Sequence, residues 1–281
     1  MNRPIIVLGK ERSGTKWLTN LIANHPEIAC VQSPQHKGIL ETNMFDKMEA
    51  AFGDLKYKEN RMAFEYVFVQ TAFFKITGLD SEWFCNLKYT SYLEAFKLVM
   101  DAYAHKTGAK TWVQKTNSLL ADKLFEEYSN AKFIVIQREL MDNVASTLNM
   151  GDYSFEFKSV LSAVFGHVYN KKYEDKYRNK DNVFFVTYEN LKAKTEVQLR
   201  EVYEFLGLEF DPVYCEVPFK KNTSFQKRKR KEFSSKEKFV IRCMYYTALI
   251  MPLPILKFFR NQLQKYRIKK HRFVGGTFQM S

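Results

Sequence analysis

The 281-residue chain is poor in cysteine and has no pairing pattern for the four it holds. Cys30, Cys85, Cys215 and Cys243 are far apart, with no C-x-x-C pair and no Cys/His cluster. A disulfide framework and a cysteine-based metal centre are therefore not expected, and buried reduced thiols are. No apolar run approaches the roughly 20 residues that a membrane-crossing helix needs. The uncharged stretch from Cys243 to Leu256 has 14 residues and carries Pro252 and Pro254, which interrupt a helix. The first strand begins at residue 4, which leaves no room for the apolar core of a signal peptide and sets the expectation of a cytoplasmic protein. Repeats, low-complexity tracts and recognised nucleic-acid modules are absent as well, so the basic charge is not assigned to nucleic acid.

What is present suits a large α/β domain. Hydrophobic residues make up 46% of the chain, ample for a packed core, and 44 Lys and Arg against 31 Asp and Glu give a net charge of +13. That charge points to anionic ligands or an anionic membrane surface. Candidate strands are Pro4–Leu8, Ile28–Val31, Thr111–Gln114, Phe133–Gln137 and Val183–Thr187. A long helical region, Ala50 to Lys106, separates the second from the third and holds Tyr66, Phe68, Phe73, Phe74, Trp83 and Phe84. These rings are expected mainly as core, with an acceptor pocket as the alternative. Strands alternating with helices predict a three-layer α/β/α fold with a central parallel sheet. The expected division is a catalytic domain over 1–235 and a basic, apolar tail over 236–281.

The strand Ile5-Ile6-Val7-Leu8 runs straight into Gly9-Lys10-Glu11-Arg12-Ser13-Gly14-Thr15-Lys16-Trp17 and then into a helix through Leu18, Leu21 and Ile22. A strand, a glycine-bearing loop and a helix N-terminus form a phosphate cradle, because loop amides converge on the anion and the helix dipole favours it. Gly9 and Gly14 have the Walker A spacing, but Thr15-Lys16 reverses its Lys-Ser/Thr order, so the hydroxyl is not placed to hold Mg²⁺. The best later strand ends in Gln137-Arg138, where a metal-binding acid would be required. The site reads as one for an anion neutralised by protein cations, without a metal.

Arg12 to Leu18 resembles the 5′-phosphosulfate loop of sulfotransferases that use 3′-phosphoadenosine 5′-phosphosulfate (PAPS). Lys132–Arg138 resembles that family's strand ending in a 3′-phosphate-binding arginine, and Ser146, eight residues on, stands where its 3′-phosphate-binding serine is expected. Phe184–Leu191 with Val202–Gly207 resembles the family's late Tyr-Glu-Asp-Leu and Phe-Leu-Gly segment. The three matches occur in order over roughly residues 4 to 210. They imply a P-loop NTPase-like fold and PAPS as co-substrate. Arg12, Ser13, Gly14, Thr15, Lys16 and Trp17 would hold its 5′-phosphosulfate, and Arg138 and Ser146 its 3′-phosphate. Golgi members of the family begin with a membrane anchor, which this sequence does not show.

Lys115, in Gln-Lys-Thr-Asn117, resembles the family's active-site lysine and would neutralise the leaving phosphate or the sulfuryl group, together with Arg12. Asn117 stands where cytosolic members have histidine and carbohydrate-directed members proline. The base must therefore lie elsewhere. Direct register places Pro34 near the glutamate of carbohydrate-directed relatives, and Glu41 and His36 flank it as alternatives. An imidazole titrates near neutrality, and a carboxylate beside cations is tuned by them. Asn222, Ser224 and Arg228, in a late basic run, are either nucleotide contacts or linker.

The resemblance implies transfer of a sulfuryl group to a hydroxyl of a carbohydrate or glycolipid. The alternatives are a P-loop kinase, which would need Mg²⁺, and a non-catalytic nucleotide-binding membrane adaptor. The tail, an apolar segment between basic clusters, suits the surface of an anionic membrane, on whose inner face a cytoplasmic enzyme would sit; the alternative is a helix packed on the domain or on a second subunit. The sequence leaves the oligomeric state open.

Overall fold

The first strand, β1 (Ile5–Leu8), is buried along its whole length and leads through the glycine loop into α1 (Thr15–Ile22). In chain order there follow β2 (Ile28–Ala29), β3 (Gln32–Ser33), a 3-10 turn at Pro34–His36, and β4 (Gly38–Ile39). Next come α2 (Lys47–Phe52), α3 (Lys58–Gln70), α4 (Ala72–Thr77), α5 (Ser81–Cys85) and α6 (Tyr92–Thr107). The second half of the sheet is built from β5 (Thr111–Thr116), α7 (Ala121–Glu127) and β6 (Lys132–Gln137). After α8 (Leu140–Met150) and α9 (Phe157–Asp175), the chain forms β7 (Val183–Thr187), α10 (Tyr188–Ala193) and α11 (Thr195–Leu206). It ends in α12 (Ser235–Ile250) and α13 (Leu253–Val274). The computed structural model describes residues 3–42, 44, 45, 47–150, 157–216 and 232–274, with side chains omitted at 150 and 264–274.

The chain forms two compact units. The first comprises Met1–Gln137 and Tyr177–Asn222, the second Arg138–Lys176 and Thr223–Ser281. The first holds a five-stranded sheet in the order β2-β5-β1-β6-β7, every neighbouring pair parallel. Alternation along β1 divides its side chains between two faces. Ile5 and Val7 join Val113, Ile134 and Val186 against Leu18, Leu21 and Ile22 of α1 and Leu199, Val202 and Tyr203 of α11. On the other face, Trp112 meets Phe96 of α6, and Phe133 stacks on Phe125 of α7 with ring centroids 3.9 Å apart. The expected three-layer α/β/α arrangement is present. Because β1 lies between β5 and β6 and the chain leaves it first toward one side and later toward the other, its carboxyl end is a topological switch point, where open parallel sheets bind ligands.

The region expected as one long helical stretch is five helices. Local hydrogen bonds cut it. The Thr71 hydroxyl accepts from the Phe74 amide, Asp80 accepts from the Glu82 and Trp83 amides, and Ser91 caps α6 through the Glu94 amide. Phe68, Phe73, Phe74 and Phe84 are core, packed with Phe64, while Tyr66 is exposed. The buried Glu65 carboxylate holds this insert together, accepting from the Tyr89 hydroxyl at 2.6 Å and Arg61 Nε at 2.8 Å. The four cysteines are free, but Cys85 and Cys243 are exposed rather than buried as expected.

In the second unit, α9 is buried nearly all round, and α8, α12 and α13 pack on it. Met251 and Pro252 separate α12 from α13, so Pro252 breaks the helix as expected; Pro254 instead sits in the first turn of α13, where its missing N–H costs nothing. The Lys172 ammonium donates to the Met251 carbonyl at 2.8 Å and ties this corner to α9. Among the described residues no helix is long and apolar enough to cross a membrane.

Candidate active site

The loop after β1 turns at Lys10–Ser13, with the Ser13 amide donating to the Lys10 carbonyl at 3.1 Å. Arg12 and Gly14 both take positive φ, 70° and 98°. The first intrahelical bond of α1 runs from the Leu18 amide to the Gly14 carbonyl at 3.0 Å. The amides of Thr15, Lys16 and Trp17 thus precede the hydrogen-bonded ladder. Gly14 caps the helix without a side chain, and no acid stands in the first turn, so the positive end of the helix dipole is not neutralised from within. These are the features an anionic phosphosulfate requires.

The two loop glycines have a further cause. A Cβ on Gly9 would lie 2.7 Å from Thr15 Cγ2 and 2.8 Å from the Ile136 carbonyl oxygen. A Cβ on Gly14 would lie 2.6 Å from Tyr188 Cδ2. The glycines let the loop close on β6 and α10, and Tyr188 also meets Trp17 edge-on at 5.8 Å. The late Tyr188-Glu-Asn-Leu191 segment therefore buttresses the loop, with Leu191 in the core.

A second segment, residues 32–41, is pinned to α1. Asn20 Nδ2 donates to the Lys37 carbonyl at 3.0 Å, and Asn20 Oδ1 accepts from the Ile39 amide at 2.8 Å. Lys16 Nζ donates to the His36 carbonyl at 2.9 Å; the exposed His36 is thus joined to the loop through its backbone. Gln114, 1% exposed on β5, donates from Nε2 to the Leu40 carbonyl at 3.4 Å and accepts the Lys115 amide at 2.8 Å. Beside it, the Lys115 ammonium meets the Glu41 carboxylate at 2.7 Å. Lys115 is largely buried, whereas Glu41 keeps 63% of its side-chain surface. Partial burial alone would raise the Glu41 pKa, but the charge and hydrogen bond of Lys115, with Lys16 and Lys47, outweigh it and hold the carboxyl below its ordinary value. Burial lowers the Lys16 pKa; Glu41 raises it in part, and Lys115 and Lys37 lower it further. Of the two candidate bases, Glu41 is the one placed in this cationic cluster by its side chain. Asn117 caps the following turn, its Oδ1 accepting the Leu119 amide at 2.9 Å.

Ser33, Pro34 and Gln35, just before His36, line a cavity of about 530 Å³ with Ala72, Lys75 and Ile76 of α4. In the second unit, Arg138 directly follows β6, has a side chain 7% exposed, and places Nη2 3.7 Å from Asp142 Oδ2; Ser146, one further turn along α8, is 1% exposed. Asn222, Ser224 and Arg228 lie outside the described residues.

The sequence profile of the Sulfotransferase family matches residues 4–212. The chain belongs to this family. The match spans the loop, Lys115, Arg138, Ser146 and the Tyr188 segment, and stops before the late basic run and α12. Sulfotransferase STF1 from Mycobacterium tuberculosis H37Rv shares the fold with a TM-score of 0.51 at 14% identity, over 92% of this chain and 76% of that one. The sulfotransferase domain from the curacin biosynthetic pathway does so with a TM-score of 0.50 at 15% identity, over 76% of this chain and 77% of that one. No curated protein sequence matches the chain. Among the described residues, Asn20, Gly38 and Gln114 also shape this candidate site and were not singled out in the sequence. Gly38, with φ 106° and Asn20 against it, carried a faint signal as a glycine beside Lys37, itself at φ 55°; the other two carried none.

Proposed function

We propose that the sulfotransferase transfers the sulfuryl group of PAPS to a hydroxyl of a carbohydrate or glycolipid acceptor in the cytoplasm. The ion pair of Lys115 and Glu41, held against the loop by Lys16, Asn20 and Gln114, carries this reading. PAPS supplies the sulfuryl group and leaves as 3′-phosphoadenosine 5′-phosphate. Glu41 takes the acceptor proton as the new O–S bond forms and the bond from sulfur to the phosphate oxygen breaks. Lys115, Lys16, Arg12 and the amides of Thr15 to Trp17 hold the charge that moves onto the leaving phosphate. A glutamate base, with Asn117 occupied as a cap, supports a carbohydrate-type acceptor. The cavity beside the Pro34–His36 turn offers such an acceptor an approach, with Lys75 at its wall.

Arg138 and Ser146 bind the 3′-phosphate, which separates PAPS from ATP-like nucleotides. The test is calorimetry of 3′-phosphoadenosine 5′-phosphate against ADP and ATP, with and without Mg²⁺, on the intact chain and on Arg138→Ala. The expected result is metal-independent preference for the 3′-phosphorylated nucleotide. Loss of the arginine should weaken that binding by about 2 kcal/mol, roughly thirtyfold, and leave ADP binding unchanged. A preference for ATP with Mg²⁺ would return the site to the kinase class.

A further inference from the structure

α12 and α13 each expose large apolar side chains that have no part in the proposed sulfuryl transfer. On α12, Ile241, Met244 and Ala248 are buried. The opposite side exposes Phe239 at 69%, Tyr246 at 63% and Ile250 at 83%, with Cys243 between them also exposed. At about 100° per residue, these four fall within an arc of about 60°. The exposed Lys236 borders the stripe on one side and Arg242 on the other, while Glu237, the acid of this helix, is turned away and folded back onto the Ser234 amide. Across Pro252, α13 exposes Ile255, Phe258 and Phe259, with Leu256 buried and Lys257 exposed. The remainder of α13 carries Lys265, Arg267, Lys269, Lys270 and Arg272 and no acid. A soluble surface rarely leaves so many large apolar side chains together.

The geometry points to a docking surface for a bilayer containing anionic lipid, with Phe239, Tyr246, Ile250 and Phe258 entering the headgroup boundary and the basic border meeting lipid phosphates and carboxylates. Charge complementarity selects this occupant: a stripe built only for a second protein copy would face the same cations on its partner. Apolar side chains flanked by lysine and arginine are what interfacial helices present to lipid.

The test is co-sedimentation of the full chain with vesicles of phosphatidylcholine alone and of phosphatidylcholine with phosphatidylserine. The chain should pellet with the mixed vesicles only, and added salt should release it. Phe239→Ser with Ile250→Ser should reduce partitioning at least tenfold, and Arg242→Glu should reduce it severalfold. Because all three residues are exposed, melting temperature should not move; Arg242→Glu serves alone if the double variant folds poorly. Failure to pellet with either vesicle, or pelleting unchanged in the variants, would overturn the assignment. So would a concentration-dependent dimer that the variants abolish without any vesicle binding. Nucleotide binding is read separately and stands or falls independently.

Discussion

Lys115→Ala is expected to lower kcat by two to three orders of magnitude while leaving the protein folded. The ammonium is largely buried at the end of β5, on the Glu41 carboxylate at 2.7 Å. Removing one preorganised donor from a site where charge develops costs about 10²–10³ in rate. The fold loses little, since Glu41 is 63% exposed and water screens the pair, which leaves it worth less than about 1 kcal/mol. Glu41→Gln should cost a similar factor through loss of the base, and the double variant should cost far less than the product, because the two act on one transfer. The pH profile separates the two candidate bases. Glu41 is held below its ordinary value, so its carboxylate form, and the stability it contributes, is fully present above the unfolded value and is lost only as pH falls through the lowered folded one. Activity should persist on the acid side to below about pH 4.3, the ordinary glutamate value. In Lys115→Ala the residual activity should lose its acid limb at higher pH, because burial then acts with less opposition. An acid limb that Lys115→Ala does not move, with activity lost in His36→Asn rather than in Glu41→Gln, would transfer the role to His36.

The parts of this fold that were legible in sequence are those governed by local pattern. β1, β6 and β7 are continuous apolar runs because a parallel strand is covered on both faces, and a continuous run survives without knowledge of its neighbours. The loop after β1 is likewise contiguous. The Ala50–Lys106 region was less legible because side-chain caps from Thr71, Asp80 and Ser91 end helices that composition alone would join. The 32–41 segment was least legible. Glu41 comes to Lys115 across 74 residues of chain, through Asn20 on a helix and Gln114 on a strand, and neither has a pattern of its own. Gly9 and Gly14 show a subtler limit. Their spacing sets the expectation of a phosphate loop, yet the atoms that forbid a Cβ there belong to Ile136, Thr15 and Tyr188, which only the folded chain reveals.

Gly38→Ala is expected to be the most damaging single-methyl change in the first unit. Gly38 sits at φ 106°, where an L side chain is strained. An added Cβ would fall 2.2–2.5 Å from the Asn20 amide group, far inside any real contact. Asn20 cannot yield cheaply, because it is 4% exposed and holds both the Lys37 carbonyl and the Ile39 amide. Displacing it leaves two backbone groups without their partner at about 1 kcal/mol each, and with the clash and the strained φ the total cost is roughly 4 kcal/mol and the fall in melting temperature roughly 10 °C. Asn20→Ala removes the same bonds without the clash and should cost about 2 kcal/mol. Gly108→Ala is the control: it has φ 75° with nothing within 4 Å of the new Cβ, so only backbone strain of about 1 kcal/mol is added. Activity should separate the three further. At a temperature where all are folded, Gly108→Ala should retain wild-type kcat, whereas Gly38→Ala and Asn20→Ala should both lower it, because Ile39 leads within two residues to Glu41. Equal melting temperatures for Gly38→Ala and Gly108→Ala would show that the 32–41 segment gives way without cost, and that Asn20 does not hold Glu41 against the loop.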